Sequence, residues 1–435
     1  MNKIVYQLAL RTFTPEGTLR AATKLLPHVA ALGVDILYVC PFYVQENDPN
    51  TDYWSARQLA SNTGNPKNPY KISDYFHVDE EYGTEEDLKA FAKEAHRLGL
   101  LVFYDLVYLH CGRQAIFIKD HPDFVERNED GSIRVPDRWP FARLNFASKA
   151  LREYLMRNME LLVTAFGADG FRCDVGDSVP LDFWQEAFLR LKRIKPELLT
   201  LNEGEKPDYI DGTFDMGYSF SFQSRIRRIF AKGESAEVLR ELYQKEHERY
   251  GKNDKKLLRA LDNHDTASDV GVARNEILMT SRGVDAALVV GTTYVGIPFM
   301  WNGYELCDDA ENCMFSNRDH GRRSAMDWSK GYTAAGKRRL AHVKRLHRLY
   351  HESAALSDGT FDFVENDAPT QVISYMRTFA DERILVVVNS KDRPVTVDIG
   401  GGAEGTPLLR YGVRQMDDRL RLAPYGYLVL SLEKV

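Results

Sequence analysis

Two rhythms alternate along the first 350 or so residues: short unbroken apolar runs, and stretches of helical period. Val34-Asp-Ile-Leu-Tyr-Val-Cys40 and Leu100-Leu-Val-Phe-Tyr-Asp105 read as buried strands. Between them Leu88, Phe91, Ala92, Ala95 and Leu98 recur three and four apart, the apolar face of a helix over 85–98. Thr84 with Asp87 predicts a capping box at its start, and Gly99 marks its stop. A second helix is predicted over 148–166, with Leu151, Tyr154, Leu155, Leu162 and Phe166 inward and Gly167 at its end. A strand ending at Asp174 follows at once. Strand–helix repetition predicts a parallel sheet with right-handed crossovers, and over this length a closed (β/α)8 barrel. The eight strands are expected near 4–8, 34–39, 100–105, 169–174, 198–203, 213–216, 257–262 and 296–301.

After residue 352 the texture changes. Phe361–Glu365, Val372–Phe379, Ile384–Asn389, Val395–Ile399 and Tyr427–Leu432 read as short strands with turn residues between them and no long helical pattern. The segment 111–146 is a long excursion between the third strand and its helix, with a turn signal at Asn128-Glu-Asp-Gly131. The predicted fold is α/β: a (β/α)8 TIM barrel formed by 1–110 and 147–352, a short inserted domain at 111–146 after strand three, and a C-terminal all-β sandwich domain at 353–435.

Composition narrows the partners. Of 435 residues, 44% are hydrophobic and 28% charged, the balance of a globular enzyme. A net charge of -6 without a basic run argues against nucleic acid as a partner. The first ten residues are too polar for a secretory leader, and no apolar stretch reaches the ~20 residues of a membrane span, so a cytoplasmic location without membrane contact is expected. Cys40 and Cys173 lie in apolar runs and read as buried reduced thiols. Cys307 and Cys313 lack the second ligand pair that a zinc site requires.

The chemistry concentrates in four segments: Asp105-Leu-Val-Tyr-Leu-His110, Gly170-Phe-Arg-Cys-Asp174, Leu201-Asn-Glu-Gly204 and Leu261-Asp-Asn-His-Asp265. Each follows or ends a predicted strand, and barrel active sites are built at the C-terminal strand ends. Arg172 lies two residues before Asp174 and so on the same side of the strand, where a cation favours the ionised carboxylate. Glu203 and Glu205 are also two apart, and strand parity does not separate them. Asp265 is either a carboxylate at the barrel mouth or the start of a helix. Carboxylates paired across one sugar carbon are what glycosidic cleavage requires.

The order and content of these segments resemble the α-amylase superfamily, glycoside hydrolase family thirteen, over nearly the whole chain. The stretch Asn68-Pro-Tyr-Lys-Ile-Ser-Asp-Tyr75 resembles that family's Gly-Tyr-x-x-x-Asp-Tyr, and Gly296–Glu305 resembles its last barrel strand, with Glu305 structural. The resemblance implies a retaining enzyme with Asp174 as nucleophile, Glu203 rather than Glu205 as acid/base, and Asp265 as transition-state stabiliser. Tyr70, His110, Arg172 and His264 would bind substrate, with Asp74 and Asp105 supporting. Leu109 stands where the family usually has a calcium-ligating asparagine, and Val175-Gly-Asp-Ser178 replaces the Lys-His common in calcium-dependent members. A calcium site at the family position is therefore expected to be absent, and no cofactor is expected. The expected activity is hydrolysis of α-glucosidic bonds in α-glucans or malto-oligosaccharides. An α-glucan transglycosylase and a non-catalytic sugar-binding member of the fold are the alternatives.

Overall fold

The computed structural model describes residues 2–136, 139–268, 271–321, 325–400 and 404–432. Eight parallel strands form the barrel in chain order: Val5–Leu8, Ile36–Val39, Leu101–Leu106, Gly170–Cys173, Leu199–Asn202, Met216–Gly217, Leu258–Ala260 and Ile297–Trp301. Each pairs in parallel with its neighbours, as in Val5 with Ile36, Asp105 with Arg172 and Val5 with Phe299. A single parallel bridge, Gly217 to Leu257, joins the sixth strand to the seventh and closes the ring. The first, second, fourth and eighth strands are buried at every position. That is why they show no inside–outside alternation, with Gln7 and Arg172 the polar exceptions in the first and fourth.

Helix Glu85–Arg97 buries Leu88, Phe91, Ala92 and Ala95 and starts with the Thr84–Asp87 capping box. Helix Lys149–Thr164 buries Leu151, Leu155, Met159 and Leu162. Tyr154 turns from the barrel and packs its ring on Phe76, Phe117 and Phe124 of the two excursions above the strands. The excursion 111–146, described apart from 137 and 138, is held by one short pairing, His110–Cys111 with Ala142–Arg143, and by single bridges.

The second excursion, after strand two, escaped sequence reading. Tyr43–Asn47 pairs antiparallel with Lys67–Val78, and the register slips three times along this pair. Each slip inverts which side chains face inward, so no period-two pattern survives in the sequence.

The C-terminal sheet is antiparallel and built from Thr360–Phe363, Val372–Phe379, Glu382–Asn389, Val395–Val397, Thr406–Met416 and Arg419–Leu432. It covers helix Thr280–Thr293, which is consequently buried from Gly283 through Thr293. Among the described residues no helix is long and apolar enough to cross a membrane.

Candidate active site

Backbone pairing carries the ladder one residue past each of two strands. Asp174 N–H donates to the Leu106 carbonyl at 2.9 Å and Glu203 N–H donates to the Cys173 carbonyl at 3.0 Å. Both carboxylates therefore emerge at the C-terminal lip, one strand apart. The motif glycines are steric requirements. A Cβ on Gly170 would lie 2.4 Å from the Phe103 ring and the Leu199 carbonyl, and one on Gly204 would lie 2.2 Å from the Asp177 carboxyl carbon. Asp177 needs that space. Its carboxylate accepts from Asn202 Nδ2 at 2.7 Å and from the N–H groups of Glu205 and Lys206 at 2.7 and 2.9 Å, pinning the loop behind Glu203.

One guanidinium gathers three acids. Arg172 is fully buried; its Nη1 donates to Asp105 Oδ1 at 2.6 Å and to Asp174 Oδ1 at 2.8 Å, and its Nη2 lies 2.7 Å from Glu203 Oε1. Glu203 Oε2 accepts from Val175 N–H at 2.7 Å. Val175 is held in the left-handed region at φ 42°. That is a costly conformation for a β-branched residue, and it aims the N–H at the acid.

Sharing the arginine changes the electrostatics expected from sequence. Burial pushes Asp174 up, and Arg172 opposes this but is divided among three carboxylates. Burial likewise pushes Glu203 up to about 7, again against Arg172, with Asp265 adding to the rise. Asp265 moves the other way: His264, Arg57 and Arg172 together outweigh its burial and lower it. Arg57, on the short helix Ala56–Ala60 of the strand-two excursion, donates to Asp265 Oδ1.

Asp105 lies at the bottom. Its Oδ2 accepts from the hydroxyls of Tyr38 at 2.7 Å and Tyr70 at 2.8 Å. His264 stacks on Tyr70 with ring centroids 5.2 Å apart, and burial lowers it to about 4, so it is neutral near pH 7. His110 is also lowered to about 4 by burial; its ring stacks on Phe141 and its Nε2 donates to the Tyr70 carbonyl at 2.9 Å.

Two alternatives left by the sequence resolve into distinct geometries. Glu205 points away from Arg172 and accepts from Phe220 N–H at 2.9 Å, at the start of helix Phe220–Ala231. The turn into helix His264–Ser268 is made by Asn263, whose Oδ1 accepts from the N–H groups of Asp265 and Thr266, and this leaves the Asp265 carboxylate for the cleft. Asp74 stands apart from the cleft lining. Its carboxylate accepts from Phe76 N–H and faces His77, while the brace under the site comes from Tyr75, whose hydroxyl donates to the Val107 and His110 carbonyls. Glu305 is buried and held by the Tyr6 hydroxyl and Gly303 N–H.

Asp174, Glu203, Asp265, His264, His110 and Tyr70 open together into one cleft of about 590 Å³. Its walls are aromatic: Trp139 and Phe141 from the inserted segment, Phe220 beyond the sixth strand and Phe315 after the eighth. Trp139, Phe141, Phe220 and Arg57 were not singled out from the sequence: the first two lie on a loop without a period, Arg57 on a five-residue helix and Phe220 at the first position of its helix, where no pattern marks a cleft wall. Leu109 is buried and has no side-chain oxygen to offer a hard cation, and the Asp177 carboxylate accepts from the loop behind Glu203.

The C-terminal mouth of this parallel barrel gathers acids around one arginine between aromatic walls. A family model for the α-amylase catalytic domain matches residues 6–131, and one for the maltogenic amylase C-terminal domain matches 361–429. α-Amylase MalA of Haloarcula japonica is 25% identical over 427 residues, covering 94% of this chain and 58% of that protein. A cyclomaltodextrinase of a Bacillus species is 27% identical over 421 residues, covering 90% and 69%. The chain thus spans only about three fifths to two thirds of the length of these relatives. The crystal structure of a noncanonic maltogenic α-amylase, AmyB of Thermotoga neapolitana, superposes with a TM-score of 0.78 at 24% identity, covering 99% of this chain and 96% of that one. The chain is thus similar to members of the α-amylase family in its catalytic-domain and C-terminal segments, and it shares their fold.

Proposed function

We propose that the protein hydrolyses α-glucosidic bonds in short malto-oligosaccharides, linear or cyclic, by double displacement with retention. The observation that carries this reading is the Arg172 cluster, in which Asp174 and Glu203 are held by one guanidinium at one edge of the cleft. Asp174 attacks the anomeric carbon and forms a glycosyl ester as the leaving oxygen takes the Glu203 proton. Glu203 then removes a proton from water, which displaces Asp174 and releases the sugar with its α configuration restored. The Glu203 carboxyl, raised by burial, holds a proton near neutrality and so suits the acid role. Asp265 grips ring hydroxyls beside the reacting carbon and strengthens that grip as the ring flattens.

Aromatic walls on a cleft of this size favour stacking of a few sugar faces over an extended polymer. The Bacillus relative named cyclomaltodextrinase agrees with this size class. The reaction is proposed to need no metal, because Leu109 has no side-chain oxygen to offer at the family position. A transglycosylase, in which a sugar hydroxyl replaces water in the second step, uses the same residues and is separated by its products.

The test is product analysis on maltotriose, a cyclomaltodextrin, pullulan and soluble starch, with the anomeric configuration followed by proton NMR. Faster turnover of the two small substrates and first-formed α-anomers are expected. First-formed β-anomers would refute retention; products longer than maltotriose would assign transfer; no turnover of any of the four would reject the reading.

A further inference from the structure

Gln7 is a polar side chain in the middle of an apolar strand: it follows Ile4, Val5 and Tyr6, precedes Leu8, and is fully buried. Burying an amide is costly unless both ends are hydrogen-bonded. Both ends reach His264. Gln7 Oε1 accepts from the His264 backbone N–H at 3.2 Å, and Gln7 Nε2 lies 2.6 Å from His264 Nδ1. The second amide hydrogen of Nε2 faces Cys40 Sγ at 3.5 Å.

This bidentate contact removes the ambiguity in both groups. A backbone N–H only donates, so the end of the amide that it meets is the oxygen, and the other end is NH2. An NH2 only donates, so Nδ1 of His264 must accept. The neutral ring then carries its proton on Nε2. That N–H lies 2.8 Å from the Tyr70 hydroxyl, which in turn donates to Asp105 Oδ2 at 2.8 Å, opposite the oxygen held by Arg172. A directed chain runs from the first strand to the centre of the cluster: Gln7 to His264, His264 to Tyr70, Tyr70 to Asp105. The groups facing the His264 ring are Tyr70, Asp105, Asp265 and Arg172, with Arg57 beyond Asp265.

We propose that Gln7 is a positioning residue that fixes His264 in its Nε2–H form and so presents a hydrogen-bond donor, and not an acceptor, to the Tyr70 hydroxyl in the cleft, which leaves the Tyr70 proton for Asp105. Without Gln7 the ring would be able to turn over or exchange its proton to Nδ1, and the edge facing Tyr70 would become an acceptor. The one proton of the Tyr70 hydroxyl would then be drawn to His264 and away from Asp105, which breaks the chain that holds the Arg172 cluster. The catalytic consequence rests on the glycosidase reading; the tautomer does not.

The test uses the full chain labelled with 15N-histidine, the His264 signal being identified by its loss in His264→Gln. Long-range proton–nitrogen spectra at pH 7 are expected to show Nδ1 unprotonated and Nε2 protonated. Gln7→Glu keeps an oxygen to accept from the His264 backbone N–H but presents a carboxylate to Nδ1, so protonation of Nδ1 is expected there. Gln7→Met, which keeps the length and removes both hydrogen bonds, is expected to mix the two forms, and it stands in if the glutamate variant fails to fold. In both variants kcat/KM on a malto-oligosaccharide should fall about 10- to 100-fold, the usual cost of mispositioning in a preorganised site. A protonated Nδ1 in the unmodified protein overturns the proposal. So does a Gln7 variant whose tautomer changes while kcat/KM does not. If the unmodified protein turns over no α-glucan, the glycosidase reading fails, and the nitrogen spectra still decide the tautomer.

Discussion

Arg172 compensates three carboxylates with one charge, and the residue-scale consequences follow from that mismatch. Replacing Asp174 by Asn removes the proposed nucleophile without changing its shape. Turnover is expected to fall by about four orders of magnitude or more, with circular dichroism unchanged. Glu203 is pushed up to about 7, chiefly by burial, so activity should decline above pH 7 as the acid loses its proton. The same shift has a stability sign. A carboxyl whose folded-state value is raised keeps its proton in the folded chain while the unfolded chain loses it from about pH 4.5, so stability falls as pH rises from there to about 7. Glu203→Gln abolishes this term. Its advantage in unfolding free energy over the parent should therefore grow between pH 4.5 and pH 8, by up to about 3 kcal/mol. Denaturant melts at the two pH values read this out, and equal differences at both would show that Glu203 is not raised.

Among elements, the short helix Ala56–Ala60 contributes a group that acts across the cleft. Arg57 helps to hold Asp265 low. Arg57→Ala should let Asp265 protonate at higher pH, moving the acid limb of the kcat/KM profile upward, while Arg57→Lys should restore much of it. An unmoved acid limb in the alanine variant would remove Arg57 from the site's electrostatics. Elements also show which parts of the fold the sequence displays. The barrel strands were legible mainly from short apolar runs left by burial on both faces, interrupted by Gln7 in the first and Arg172 in the fourth, while the sixth, expected near 213–216, is only Met216–Gly217. The helix after strand two was legible because its caps and its 3.6-residue period agree. Strand Thr406–Met416 was not: most of its residues are exposed, and its pairing slips twice, once around Gly412 at φ 62°, so neither an apolar run nor alternation survives. The four motif segments were legible because each ends a recognisable strand. Arg57 was hidden on a helix of only five residues, too short to display a period. Gln7 did leave a signal, a lone amide inside an apolar strand, which points to a buried polar contact but does not name its partner.

At the scale of the whole molecule, barrel and C-terminal sheet share apolar packing, with Phe361, Tyr375 and Val429 in the same buried cluster as the barrel strands. Arg377 joins them. It is 1% exposed and donates to the carbonyls of Thr293 and Tyr294 at 2.9 Å each, and to that of Thr360 at 3.1 Å. Arg377→Met leaves those buried carbonyls unpaired and should cost about 3 kcal/mol or more, lowering one shared thermal transition. Two separated transitions would show that the sheet folds independently of the barrel. Chelation with EDTA is expected to change neither the melting temperature nor turnover; loss of either would place a structural or functional metal in the protein.

Capture of the covalent intermediate bears most directly on the proposed chemistry. A fluorinated glucosyl fluoride that forms the enzyme ester quickly and hydrolyses it slowly would be incubated with the protein, and peptic peptides analysed by mass spectrometry. One sugar mass on the peptide containing Asp174, absent in Asp174→Asn, is the predicted result. An adduct on a different carboxylate, or inactivation-free turnover with inverted product, would contradict the double displacement assigned to Asp174 and Glu203.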